Sequence, residues 1–467
     1  MSLYLSYEKK LNILKKQIYI ENKSQLINDL NNIYKNTINY CKNLLKYENL
    51  INYVDDCVNP IKWQLGHIIL FYIDNTLKLL EKKDNFRYNL LKIYIRHFEK
   101  YNKIKLTIFD SEKCNKLSRF KYNNIKFKQL KLIYFSIIQL LLSYINKNTI
   151  DSINTYLIRL SILHNDMHNE NFIFTMYYLH IKNNFYYNNN NIKINNDFIK
   201  INNNFIKINN DFIKIKGGFF SQGININKNN LIFDNEAPSF NTYINTFSVS
   251  KYPITEYEYL DFVENNGYYN DELWCNESLE WKNKNNIVCP IYWFKNNNVW
   301  YKQHWDKSIL VGSNIPIVNI SWYEAQAYCK WRKVRLITET EWEYLSTNKG
   351  TTLYPWGNEN INTTYSNINN INNFCTDVNF YEKGNNKDNI SQLIGNCWEW
   401  CLETIYPYDN FVIDPIYREM SYPYFGKKKI CRGGCFCVSD YLINSKYRNA
   451  QYPSCRIQFI GFRICKL

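Results

Sequence analysis

The sequence predicts a chain in two parts, an all-helical bundle followed by a compact, loop-rich α+β domain. Three observations carry that reading. At 467 residues the chain exceeds one ordinary core. Residues 1 to about 185 place apolar side chains at three- and four-residue spacing, and no proline falls between Pro60 and Pro238. From about residue 213 the texture changes: Gly, Pro and Trp become frequent, and short strand-like runs alternate with turns.

The helical part divides into segments 24–48, 60–83, 86–104, 125–147 and 149–183. Pro60 suits the first turn of the second, where a missing N–H costs nothing. Four or five antiparallel helices of this length make a bundle, and bundles build metal sites from side chains on facing helices. Residues 187–216 are low-complexity. NDFIKIN, NNFIKIN and NDFIKIK begin at Asn196, Asn203 and Asn210. Their period of seven is a poor coiled-coil seam, because Phe, Ile and Ile fall at the third, fourth and sixth places. A linker expanded by repetition is the simpler account, with its last copy running into a strand, FIKIKGGFFSQG. Beyond it one strong helix is expected over 321–334, followed by TETEWEYLS. The expected domains are therefore 1–186, a linker at 187–212, and 213–467.

Composition excludes several function classes. The formal charge is +15, but Lys is spread along the chain among Asn, Ile and Tyr, without an Arg-rich cluster, so no nucleic acid partner is expected. Mean hydropathy is −0.46, and no apolar run approaches the roughly 20 residues that span a bilayer, so no membrane partner is expected. The opening stretch alternates charged and apolar residues and contains Glu8 and Glu21, which argues against a secretory leader or transit peptide. The 14 cysteines then read as reduced thiols in a cytoplasmic protein. They crowd toward the C-terminus without paired CxxC motifs, so a zinc ribbon is not expected.

The chemistry concentrates in LHNDMHNEN, residues 163–171. His164 and His168 stand four apart, one helical turn, which lets both imidazoles reach one ion. The chain has six histidines. Spacing alone leaves open a metal site or two unrelated surface histidines. His67, in NPIKWQLGHIILFY, lies on the helix that Pro60 begins. His97, on a charged helix, His180, too far along the same helix, and His304, in an aromatic-rich loop, are not expected to ligate.

The strings WQLGH and HNDMHNE resemble the iron-binding bundle of the ergothioneine-type sulfoxide synthases (EgtB) and their ovothiol relatives (OvoA), a bundle of the DinB type. A second set resembles the formylglycine-generating-enzyme (sulfatase-modifying factor) fold, a C-type-lectin-like architecture that those enzymes carry as their second domain. It runs in order through KGGFFSQG, FDNEAPSF, the stretch from FSVSKYPITEYEYLDF, PIVNISWYEAQAYCKW, YPWGN, LIGNCWEWC, RGGCFC and IGFR. The resemblance covers nearly the whole chain outside 187–212.

What the resemblance implies is specific. His67, His164 and His168 fall on three iron(II) ligands, and Glu170 on an acidic position that would orient an imidazole from behind. The activity would be dioxygen-dependent C–S bond formation between cysteine or γ-glutamylcysteine and the imidazole of hercynine, giving a sulfoxide. The alternatives are the ovothiol-type reaction of cysteine with histidine, and a non-catalytic or formylglycine-generating protein using Cys435 and Cys437. A proton-donating tyrosine is implied between the WEW string and RGG; Tyr417 leads, then Tyr406 and Tyr408. Arg119, Arg448, Gln451 and Arg456 are the expected substrate contacts, and Arg463 a structural one. The partners would be a thiol, a histidine derivative and dioxygen.

Overall fold

The computed structural model describes residues 21–51, 58–122, 124–181, 208–225 and 231–467. Most of the repeat-bearing stretch, 187–207, lies outside the described residues. The chain falls into two compact units, and they are interleaved. The first takes the chain up to Leu179 together with Asn225–Ala237 and Phe411–Pro423; the second takes His180–Ile224, Pro238–Asn410 and Tyr424–Leu467. The boundaries expected from composition follow chain order, whereas two short segments from beyond residue 213 pack with the first unit.

The first unit is helical: α1 Lys23–Leu44, α2 Ile61–Tyr72, α3 Lys78–Asp84, α4 Asn89–Asn102, α5 Phe127–Lys147 and α6 Ser152–Tyr178. A π-helical turn, Ile73–Leu77, joins α2 to α3. Helix α1 packs on α2, α5 and α6, α2 packs on α5 and α6, and α4 leans on α5. Each start has a local cause. Asn22 and Asp151 cap α1 and α6, accepting from the N–H groups of Ser24 and Asn154. Pro60 occupies the cap position of α2 instead of its first turn. Helix α6 is buried nearly all round, as a central helix must be. None of the helices among the described residues is long and apolar enough to cross a membrane.

The second unit is sheet-rich. Its elements are β1 Phe212–Ile215, β2 Gly218–Gln222, β3 Phe240–Ile244, β4 Phe247–Ser250, α7 Glu256–Glu264, α8 Asn276–Lys284, β5 Trp293–Asn296, β6 Val299–His304 and β7 Lys307–Leu310, then α9 Trp322–Arg332, β8 Val334–Leu336, α10 Glu339–Ser346, β9 Trp398–Thr404, β10 Lys429–Arg432, β11 Asn449–Gln451, β12 Ile460–Gly461 and β13 Ile464–Lys466. Two four-stranded sheets run β1-β4-β13-β8 and β11-β10-β9-β12. β1 is the last repeat copy, as expected for FIKIK. Helices α7 and α8 were not expected from periodicity. The missed signal for α7 is its capping box: Thr255 and Glu258 satisfy each other's backbone N–H groups, as Ser321 with Glu324 and Thr338 with Glu341 do for α9 and α10.

The core of the second unit holds paired charges. Glu399, between the buried Trp398 and Trp400 of β9, takes two bonds of 2.6 Å from Arg463. Arg432 reaches Glu339 at 2.8 Å and Glu343 at 2.9 Å. These pairs tie α10 and the C-terminal strands to β9 and β10.

Candidate metal centre

Three imidazoles meet inside the first unit. His67 comes from α2, and His164 and His168 from successive turns of α6. One ring nitrogen from each lies within 4.8 Å of the others. His67 Nε2 and His164 Nε2 are 3.2 Å apart. Two nitrogens on one ion at about 2.1 Å each cannot be more than about 4.2 Å apart, so this pair fits. His67 is the best oriented, because its Nδ1 donates to the Phe109 carbonyl at 2.8 Å, which leaves Nε2 bare. The Nδ1 atoms of His164 and His168 are buried with no hydrogen-bond partner among the described residues.

Burial lowers all three imidazoles below the ordinary histidine range, and the mutual proximity of the rings lowers His164 and His168 further. Three neutral imidazoles crowded nitrogen to nitrogen are a donor set for a transition metal.

The surroundings hold the rings in place. Phe71, one turn past His67, stacks on His164 with centroids 3.8 Å apart. Trp63 stacks on His67 at 5.3 Å, and its Nε1 donates to the Ile108 carbonyl at 2.8 Å. Gln64 donates to the His168 carbonyl at 3.0 Å, bracing α2 on α6. Gly66 is needed for close approach: a Cβ there would sit 2.4 Å from the ring of Phe109, whose carbonyl orients His67.

Tyr417 arrives from the segment Phe411–Pro423. Its ring stands edge-on to His164 at 5.5 Å and to Phe71 at 5.0 Å, and its hydroxyl is 3.9 Å from Met167 Sδ. It lines a cavity of about 210 Å3 with His67, Phe71, Asp74, Asp110 and Glu419. Tyr406 and Tyr408 belong to the second unit. The first presents its backbone carbonyl to Arg448, and the second takes a hydrogen bond from Gln222 at 3.2 Å and the Arg448 guanidinium over its ring at 4.0 Å.

The other expected site residues are distributed as follows. Arg119 lies over Trp63 at 4.0 Å and donates to Asn59 Oδ1 at 2.9 Å, so it stands behind the His67 side of the cluster. Glu170 is buried in α6, but two residues beyond His168 is about 200° round the helix, so it leaves on the face away from the imidazole pair. Arg448 and Arg456, expected at substrate carboxylates, are buried in the second unit on protein carboxylates instead. Arg448 makes bonds of 2.7 and 2.9 Å to Glu339, and Arg456 bonds of 2.9 and 2.8 Å to Glu324. A guanidinium this enclosed needs a fixed counter-charge to fold at all. Gln451 is half-buried on β11, opposite Lys429. His97 is exposed on α4, and His180 lies beyond the end of α6. His304 ends β6, where burial pulls it down to about 3.

Asp414 was not singled out from the sequence. Its Oδ1 accepts the backbone N–H groups of Ile416 at 2.7 Å and Tyr417 at 2.8 Å, and its carboxylate also takes the Tyr156 hydroxyl of α6. The signal was the turn-forming Asp-Pro pair at 414–415.

Residues 200–466 match the sulfatase-modifying factor enzyme 1-like domain. The hercynine oxygenase of Mycobacterium tuberculosis is 28% identical over 236 residues, 50% of this chain and 55% of that protein. That of Mycolicibacterium smegmatis is 25% identical over 257 residues, 53% of this chain and 59% of the relative. The chain thus spans about half the length of these curated relatives. The mouse formylglycine-generating enzyme is 27% identical over 262 residues, 49% of this chain and 68% of that enzyme. Among solved structures, that of PvdO from Pseudomonas aeruginosa is 17% identical with a TM-score of 0.40, covering 55% of this chain and 94% of its own.

Proposed function

This chain belongs to the sulfatase-modifying factor enzyme 1-like family, which it matches over more than half its length, and from that membership and its similarity to hercynine oxygenases we propose that it is an iron(II)- and dioxygen-dependent sulfoxide synthase. It joins a cysteine-type thiol, cysteine or γ-glutamylcysteine, to the imidazole of hercynine. The helical unit is a DinB-type bundle that supplies the metal ligands, and residues 213–467, apart from the two segments that pack with the helical unit, form the formylglycine-generating-enzyme-like domain. The observation that carries the reading is the convergence of His67, His164 and His168 at one point beside Tyr417.

His67, His164 and His168 would hold the ion, and three ligands leave coordination positions for substrates. Iron(II) bound there would supply dioxygen activation and a site for the thiolate. The chain's own groups do the rest. The Phe109 carbonyl fixes the His67 tautomer and ring plane. Phe71 and Trp63 close two sides of the cluster with apolar rings and keep water from the imidazoles. Tyr417 carries its proton on a hydroxyl at the edge of the cavity, in position to steer the reaction toward sulfoxide. Arg448 and Arg456 are left out of this reading, because their guanidiniums are already engaged by Glu339 and Glu324, and Glu170 is left out by its direction.

The test is an aerobic Fe(II) assay crossing cysteine and γ-glutamylcysteine with hercynine and histidine, with products read by mass. A sulfoxide adduct containing hercynine is expected. A histidine adduct alone would move the activity to the ovothiol type. Cysteine sulfinate as the sole product across all four pairs would replace the synthase with a thiol dioxygenase.

A further inference from the structure

We propose that Asp414 is the positioning residue that sets Tyr417 against the imidazole cluster. The inference rests on the reading of Tyr417 above and concerns what holds it there. Tyr417 sits on a segment without α-helix or strand, directly before the short 3-10 turn Arg418–Met420, so side chains have to supply most of its placement. Asp414 supplies three attachments. Its Oδ1 accepts the N–H groups of Ile416 and Tyr417, closing a tight turn that ends on the tyrosine. Its Oδ2 accepts the hydroxyl of Tyr156. Its own N–H donates to Asp234 Oδ2 at 3.0 Å. Pro415, inside the turn, has no N–H and a fixed φ, which narrows the conformations the turn can take.

The anchor point matters most. Tyr156 and His164 share α6, eight residues or roughly 12 Å apart along one rigid helix. The turn is therefore referenced to the same helix that carries two of the three imidazoles. A shift of α6 moves the histidines and the tyrosine together. Farther along the segment, Glu419 meets the Ser111 hydroxyl, and Arg418 stands 3.6 Å from Glu112. Ser111 is two residues from Phe109, the carbonyl that orients His67. Both ends of the Tyr417 segment thus return to elements that fix a histidine, and Asp414 is the end bonded to the Tyr417 backbone itself.

Asp414→Ala, Asp414→Asn and Tyr156→Phe test this, each compared with wild type in the full chain. Three readouts apply: the ratio of sulfoxide to sulfinate, Fe(II) uptake, and hydrogen exchange at the amides of 416 and 417. Asp414→Ala should speed exchange at those amides and lower the product ratio by about ten- to a hundredfold, the upper figure being the cost of a misplacement of about 1 Å. Fe(II) uptake and the KM for the thiol should not change. Asp414→Asn keeps the Oδ1 acceptor, and its amide N–H can donate to the Tyr156 oxygen in place of the carboxylate's acceptance, so it should recover most of the ratio. Tyr156→Phe keeps the turn and cuts only its anchor, so the ratio should fall with little change in amide exchange; it also serves if the alanine variant does not fold. An unchanged ratio in Tyr156→Phe, or in an Asp414→Ala protein whose amides exchange faster, would reduce Asp414 to a loop-former. A wild-type chain that makes no sulfoxide sinks the synthase reading first and takes this inference with it.

Discussion

The arginine pairs of the second unit and the imidazole cluster of the first bury polar groups in opposite ways. In the second, buried cations are matched to carboxylates: Arg463 to Glu399, Arg432 to Glu339 and Glu343, Arg448 to Glu339, Arg456 to Glu324. In the first, His67, His164 and His168 are pressed together without a facing carboxylate in the cluster, and burial keeps them neutral. A matched pair closes on itself and has nothing left for a ligand. Clustered neutral imidazoles keep their lone pairs for something else. The difference separates scaffold from site, although both regions are dense in functional-looking side chains.

The largest effect is expected at the histidines. His164→Ala should take Fe(II) uptake under anaerobic conditions from about one ion per chain to none, with helix content by circular dichroism unchanged. Uptake equal to wild type would place the metal elsewhere. The next effect belongs to the second unit. Arg463→Met leaves Glu399 buried without a counter-charge, with only the Trp342 Nε1 bond at 3.2 Å, and should lower unfolding free energy by about 3–5 kcal/mol in a denaturant titration. A loss below about 1 kcal/mol would mean that the pair is worth no more than a surface one.

A third test concerns Asp234, a carboxylate of the first unit that burial pushes up to about 6. Its ordinary value is near 3.8. A carboxyl raised on folding favours the folded state fully below the unfolded value, and that contribution is lost as pH climbs through about 6. Asp234→Asn keeps an oxygen for the Asp414 N–H and cannot ionise. It should therefore be more stable than wild type at pH 8, by up to about 3 kcal/mol, with the gain shrinking toward pH 4. A gain independent of pH would contradict the assignment. The smallest expected effect is Gly66→Ala, at about 1–3 kcal/mol, because the new methyl must displace the Phe109 ring. Its sharper readout is weakened Fe(II) binding, since the ring moves with the carbonyl that holds His67.

The helices were legible because burying one face of a helix writes a 3.6-residue period into the sequence, and segments 24–48 through 149–183 each contain an observed helix. The helical unit's three histidines were legible for a different reason: four-residue spacing links His164 to His168, while only the family strings link them to His67, 97 residues away along the chain. Helix α7 was missed where its capping box, Thr255 to Glu258, was a readable signal. The partners of Arg448 and Arg456 were not readable, because Glu339 and Glu324 lie more than a hundred residues off and no local period connects them. The interleaving of the units was equally hidden: nothing in FDNEAP or in the stretch around Asp414 marks either as part of the helical unit.

X-ray absorption at the iron edge of the anaerobically Fe(II)-loaded full chain would show whether one metal ion sits on the three imidazoles. The expected result is an inner shell of nitrogen and oxygen scatterers, with the outer-shell pattern of three imidazoles and no sulfur before thiol is added. A sulfur shell in the absence of substrate, or a spectrum without imidazole scattering, would put the ion on cysteines or on water and contradict it.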